Sequence, residues 1–149
     1  MIRYRRTQIG YLTTCVLFCA VIGAAVTGLV KPAGKESLLI RAMVEVILLA
    51  SAIVFSSLTI TIDDEKLTAC FTLGFLCKRV RTAEIAECEP IRVRWWYGWG
   101  IHLTPYGWLY NVSGLDAVAI TLRNGRKLAL GTDDLDGLVN AIRRFTAAR

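Results

Sequence analysis

The residues most able to do chemistry or make a specific contact crowd into one stretch, RVRWWYGWGIHLTPYGWLYNVSG, positions 92–114. It holds all four tryptophans, three of the five tyrosines and the only histidine of the chain. An imidazole can work as an acid, a base or a metal ligand. His102 has no second histidine to complete a relay or a ligand set, and Gly-Ile-His-Leu-Thr reads as a strand that carries it on one face. No HExxH, GxSxG or phosphate-loop pattern is present, and Gly98 and Gly100 flank Trp99 without a helix to follow. Asp133, Asp134 and Asp136 could be imagined on a metal, but charges at a helix start explain them with less. No catalytic, cofactor-binding or metal-binding residue is expected, and the chain does not read as an enzyme. What remains is a contact surface. Lys78, Arg79 and Arg81 on one strand and Arg92 and Arg94 on the next would form one basic patch if the strands were neighbours. Trp95, Trp96 and Trp99 follow directly. Exposed tryptophan beside arginine suits a protein contact or a membrane interface.

These residues need elements to hold them, and the chain begins with apolar ones. No charged side chain occurs over 24 positions from Thr7 to Val30, or over 17 from Val46 to Ile62. A bilayer core about 30 Å thick needs roughly 20 apolar residues as helix. The first run meets that length. The second meets it if its helix starts near Leu38 and includes Arg41 and Glu45. KPAGKES, residues 31–37, has turn chemistry, with Ser37 as a candidate N-cap. The expectation is an N-terminal arm and two transmembrane helices, about 9–30 and 38–58, in residues 1–60, followed by a soluble domain in residues 61–149. Arg41 and Glu45 are four apart and pair on one helix face, with Arg41 expected to reach toward the interface and Glu45 the deeper group. A partner helix could meet Glu45.

Two crossings put both termini on one side. Basic residues of the arm and of the stretch after the second helix slightly outnumber those near the short loop, which favours the cytoplasm. Cys70, Cys77 and Cys88 in the soluble part are odd in number and lack metal-type spacing, so free thiols in a reducing compartment are expected. Asn111-Val112-Ser113 is formally a glycosylation sequon. Residues 1–60 carry six basic and two acidic groups; residues 61–149 carry twelve and ten. The soluble part is too balanced for nucleic acid, and the excess near the helices suits anionic headgroups.

From Leu58 the period changes to two. LTITID, LTACFTL, CKRVR, AEIAECEPIRVRW, GIHLT, GWLYNV, DAVAITLR and RKLALGT read as short antiparallel strands, seven or so in all, with turns at Asp63-Asp64-Glu65 and Asn124-Gly125. Trp108, Tyr110 and Val112 share one strand face, and Trp108 is expected in the core. Adjacent residues point to opposite faces, so at least one of Trp95, Trp96 and Trp99 is expected at the surface. Leu135, Leu138, Val139, Ile142 and Phe145 make the apolar stripe of a closing helix at about 133–147.

The stretch YGWGIHLTPYGWLYNVSGLDAVAITLRNGRKLALGTDDLDGLVNAI, 97–142, carries a likeness by which residues 58–147 resemble a bacterial pleckstrin-homology-like domain. The two preceding helices resemble those of the small membrane proteins that carry such domains. The resemblance implies a small barrel or sandwich of antiparallel strands closed by a C-terminal helix, in a membrane setting. It implies no reaction. The phosphoinositide signature does not carry over, because the first turn, Asp63-Asp64-Glu65, is acidic. The expected role is a membrane-anchored interaction or scaffold module that binds a protein partner or another copy of itself. The alternative is a binder of an anionic lipid headgroup or amphiphile.

Overall fold

A computed structural model describes residues 2–30 and 35–147. The chain runs β1 (Ile2–Ile9), α1 (Tyr11–Val30), α2 (Lys35–Val54), β2 (Ser57–Asp63), β3 (Lys66–Phe71), β4 (Cys77–Arg81), β5 (Ile85–Arg92), β6 (Gly100–Thr104), β7 (Gly107–Asn111), β8 (Asp116–Leu122), β9 (Lys127–Gly131) and α3 (Leu135–Ala147). Helices and two mainly antiparallel sheets make up the described residues. One sheet has the order β1-β2-β3-β4, the other β5-β8-β9-β7-β6, and no ladder joins them.

Three expectations are corrected here. The N-terminal arm is a strand: β1 pairs along β2 from Ile2↔Asp63 to Ile9↔Ser57. The β domain therefore starts at the N-terminus rather than at residue 61, and the helical hairpin is an insertion between its first two strands. The strands number nine among the described residues, and one pairing, β7 with β9, is parallel. Ser37 lies inside α2, which starts at Lys35; the loop 31–34 falls outside the described residues.

Alternation explains the main core. Leu58, Ile60 and Ile62 of β2 and Leu67, Ala69 and Phe71 of β3 are buried, and their neighbours face out. They meet Val118, Ile120 and Leu122 of β8, with Leu128 and Leu130 of β9. Leu138, Val139 and Ile142 of α3 complete that core. The helix begins as its charges suggest: Asp134 Oδ1 accepts the Gly137 N–H at 3.1 Å, a side-chain cap. Strand β8 is buried on both faces because a smaller cluster, Val93, Leu109, Ala117 and Ala129, covers the second sheet from outside, with Ile91 and Tyr97 against it.

Strand direction gives the β domain two ends. β1 enters α1 at Ile9 and β2 leaves α2 at Ser57, so the helices join the end that also holds Phe71 and Cys77. Thr13 of α1 donates to the Val112 carbonyl, and Gln8 Nε2 donates to the Ser113 carbonyl at 2.7 Å. The segment 93–99 and the 112–115 turn are therefore at the helix end as well. The Asp63–Lys66, Thr104–Gly107 and Leu122–Lys127 turns lie at the far end.

The cysteines also correct an expectation. Cys70 and Cys77 stand opposite each other in the β3–β4 register and form a disulfide. Cys88 is a buried thiol whose pKa is pushed up by desolvation. Free thiols thus no longer argue for a reducing compartment.

The first strand is tied to the last helix. Arg6 makes a two-pronged contact with Asp133, Nε–Oδ1 3.0 Å and Nη2–Oδ2 3.1 Å, and Arg3 pairs with Asp64. Tyr4 donates to Asp134 Oδ2 at 3.1 Å. Burial, with the Asp134 charge and that hydrogen bond, pushes the Tyr4 hydroxyl from its usual pKa near 10 up to about 12. The raised value favours the neutral phenol in the folded state. Its contribution is complete below about pH 10 and is lost as pH rises from there through about 12. Denaturant titrations in detergent at pH 9 and pH 11.5 should show a fall in stability that Tyr4→Phe reduces.

Candidate functional site

The five basic residues do not form one patch. β4 is the edge of the first sheet and β5 the edge of the second, and the two do not pair. The turn Thr82–Glu84 carries the chain from one sheet to the other. Lys78 and Arg79 line a cleft of about 510 Å³ with Arg126, Lys127, Trp108 and Leu103. Val80, Leu122 and Leu128, at the margin of the main core, contribute apolar lining, and Glu84 is the one carboxylate there. None of the four cations has an ion pair among the described residues. Arg81 is exposed beside Lys66 and Glu84. Arg92 and Arg94 are at the helix end, Arg92 opposite Asp116 in the β5–β8 register.

Trp108 is not core; it is 51% exposed. Alternation sets the face of Trp108 but not its depth. Along Trp108, Tyr110 and Val112 burial rises from half-exposed to complete toward the helix end. Ile101 and Leu103 of β6 show the same gradient, the first packed on the core and the second exposed. The space between the sheets opens toward the far end, and this opening is the cleft. Arg126 and Lys127 enter it because the Asn124-Gly125 turn ends there, with Gly125 at φ +80°.

Of the remaining tryptophans at least one is at the surface, as expected, but a short 3-10 turn over Trp95–Tyr97 rather than strand alternation exposes two neighbours together. Trp95 is 74% and Trp96 55% exposed, while Trp99 is half-buried. Tyr97 holds the segment by packing on the outer cluster of the second sheet. The Trp95 and Trp96 rings meet edge to face at 6.0 Å, and the Arg94 guanidinium stands 4.9 Å from the centre of the Trp96 ring. Exposed His102 bonds the Trp99 carbonyl through Nε2 at 2.7 Å. Asn111 is buried: its amide donates to the Gly114 carbonyl at 3.1 Å and its oxygen accepts the Ser113 N–H at 3.2 Å. Its amide nitrogen is committed to the turn, so the sequon is closed to a glycan in the folded domain.

No family model, curated protein or solved structure matches the chain. Among the described residues no group of three or more His, Cys, Asp or Glu is placed to hold a metal ion.

Arg41 and Glu45 do come together, in a way the sequence did not show. Arg41 Nε is 3.7 Å from Glu45 Oε1. Rather than reaching along its own helix to an interface, Arg41 crosses to α1 and donates to the carbonyls of Ala24 at 2.6 Å and Ala25 at 3.2 Å. Its guanidinium occupies the space where a Cβ on Gly28 would be. Glycine there is a notch that admits the charge. Gly28→Leu should expel Arg41 and weaken the helix pair by about 1.5–3 kcal/mol, the scale of a charged hydrogen bond. Gly23→Leu is the control, because an added Cβ at Gly23 meets nothing within 4 Å. Unfolding of the two variants in detergent checks this.

Proposed function

We propose that the chain is a membrane-anchored, non-catalytic binding module. Its helical hairpin crosses the bilayer, and a β domain of pleckstrin-homology-like type presents the cleft to a protein partner. One helix among the described residues is long and apolar enough to span, Tyr11–Gly28 with mean hydropathy 1.9. α2 carries Arg41 and Glu45, but its exposed apolar residues, Leu38 through Ile53, cover more than one face. It lies antiparallel to α1, since Gly10 N donates to the Ser56 carbonyl at 2.7 Å while Arg41 reaches Ala24. In this reading it is the second crossing.

The observation that carries the proposal is the cleft itself. Four cations and a half-exposed tryptophan face one carboxylate, at the end of the domain away from the helices. A partner arriving from the aqueous phase with acidic and apolar side chains fits that lining, and Trp and Arg are the residues that dominate protein contacts. The apolar lining at Val80, Leu122 and Leu128 favours the second reading, an anionic amphiphile in the same cleft.

A photo-crosslinker at Trp108 in native membranes should give one discrete protein adduct, lost with Lys78→Glu plus Arg126→Glu; one at Asn140 should give none. An adduct at twice the chain mass identifies a second copy. A monomer without adduct, stabilised by anionic lipid, supports the amphiphile. Trp108→Ala should cost about 1 kcal/mol in folding, in keeping with its partial burial.

Orientation belongs to the same proposal. The basic residues favour termini and β domain in the cytoplasm, at the inner membrane. The Cys70–Cys77 disulfide argues for the oxidising side. The cytoplasmic arrangement predicts that a cysteine at Ala33 reacts with an impermeant maleimide in intact cells and one at Asn124 does not. The reverse pattern puts the domain outside.

A further inference from the structure

The β3–β4 loop is apolar where a soluble loop would be polar. Leu73 is 64% and Phe75 81% exposed, and Leu76 is exposed too. None of them packs in either core cluster. Leu73 sits at φ +68°, a left-handed conformation that a leucine rarely adopts and that carries a cost in backbone energy. The loop is firmly placed. Thr72 Oγ1 accepts the Ser57 N–H at 2.8 Å and bonds the hydroxyls of Ser56 at 2.7 Å and Ser57 at 2.8 Å. Those serines are where α2 ends and β2 begins. Phe71 N–H donates to the Leu76 carbonyl at 3.0 Å, and the Cys70–Cys77 disulfide closes the base. The apolar tip is thereby fixed beside the exit of the helices.

The tryptophan segment lies at the same end. A Cβ on Gly100, just after that segment, would be 3.8 Å from the Phe55 ring, which follows α2. Exposed Trp95 and Trp96 therefore share the level of the helix exit, with Arg92 and Arg94 beside them. At the start of α1, Tyr11 is exposed as well. Aromatic residues concentrate at membrane–water interfaces, and arginine beside them meets headgroup phosphates.

We infer that Tyr11, Leu73, Phe75, Leu76, Trp95 and Trp96 form a continuous belt that seats the β domain on the headgroup layer of its own bilayer. The belt is continuous with the exposed apolar surface of the helices, which names the bilayer as its occupant. The domain is then a docked body with a fixed attitude, rather than a tethered one, and its basic cleft points away from the membrane. The inference rests on the helices spanning a membrane.

The test uses the full chain reconstituted in phosphatidylcholine–phosphatidylglycerol vesicles containing lipids brominated near the headgroup. One variant keeps Trp95 alone and another Trp108 alone, the other tryptophans being phenylalanine. Phe75→Trp and Phe18→Trp are made in the tryptophan-free chain. Trp95 and the Phe75→Trp reporter should lose most of their emission to bromolipid and little to aqueous iodide. Trp108 should show the opposite. Quenching of both belt reporters by iodide instead, or shielding from both quenchers by a protein contact, overturns the belt while Phe18→Trp still quenches with bromolipid. If Phe18→Trp also escapes the bromolipid, the anchoring itself fails, and the belt with it. The exposure of Trp95 and Phe75 makes them tolerant reporters, and circular dichroism verifies the fold of each variant.

Discussion

The pairing of β1 with β2 holds the molecule together as one object. Its ladder ends at Ile9↔Ser57, and the Gly10 N–H adds one more bond, to the Ser56 carbonyl. This closes a base under both helices, so they leave the β domain as a pair. Space at the junction is short. A Cβ on Gly10 would lie 2.9 Å from the Phe55 carbonyl oxygen and 3.2 Å from the Val112 Cβ. Only a residue without a side chain lets the two helix–strand junctions and the second sheet converge there. The hydrogen bonds of Gln8 and Thr13 to the 112–113 turn draw the second sheet into the same joint.

From that joint the domain acquires polarity. Its near end is aromatic and apolar, around Trp95, Trp96 and Phe75. Its far end is cationic around an opening between the sheets. α3 packs on β5, β8 and β1 and so spans from one sheet to the other, leaving the cleft between β4 and the β7–β9 region uncovered. The same separation of the sheets that prevents a closed ladder makes the cleft, and it exposes Trp108 and Leu103 on faces that are core closer to the joint.

Local signals were legible in the sequence, and those that depend on pairing were not. The acidic turn at 63–65, the Asn124-Gly125 hairpin and the stripe of α3 each come from a few adjacent residues, and each is present. β1 was missed because Tyr4 and Gln8 are its inward groups and three arginines obscure the alternation. Basic residues on β4 and β5 looked adjacent because the strands are consecutive, yet a three-residue turn moves the chain to the other sheet. The disulfide required the register that sets Cys70 against Cys77. The Arg41 notch required the register of two helices, which neither apolar run encodes alone. For Trp108 the face followed from alternation, but its burial depended on how far the opposite sheet extends.

The insertion of two helices between β1 and β2 also dictates an order of assembly. Strand β1 is synthesised before its partner, Ser57–Asp63, which comes only after the whole hairpin has been made. Until then β1 carries an unpaired strand edge, the kind of edge that invites wrong pairing. Its Arg3, Arg5 and Arg6 supply like charges that discourage that pairing before the sheet can form. Sheet growth from β2 onward then proceeds by short local hairpins, β2–β3 and β3–β4, which close quickly. Formation of the helical hairpin thus precedes completion of the first sheet, and a hairpin that fails to form leaves that sheet without its edge strand.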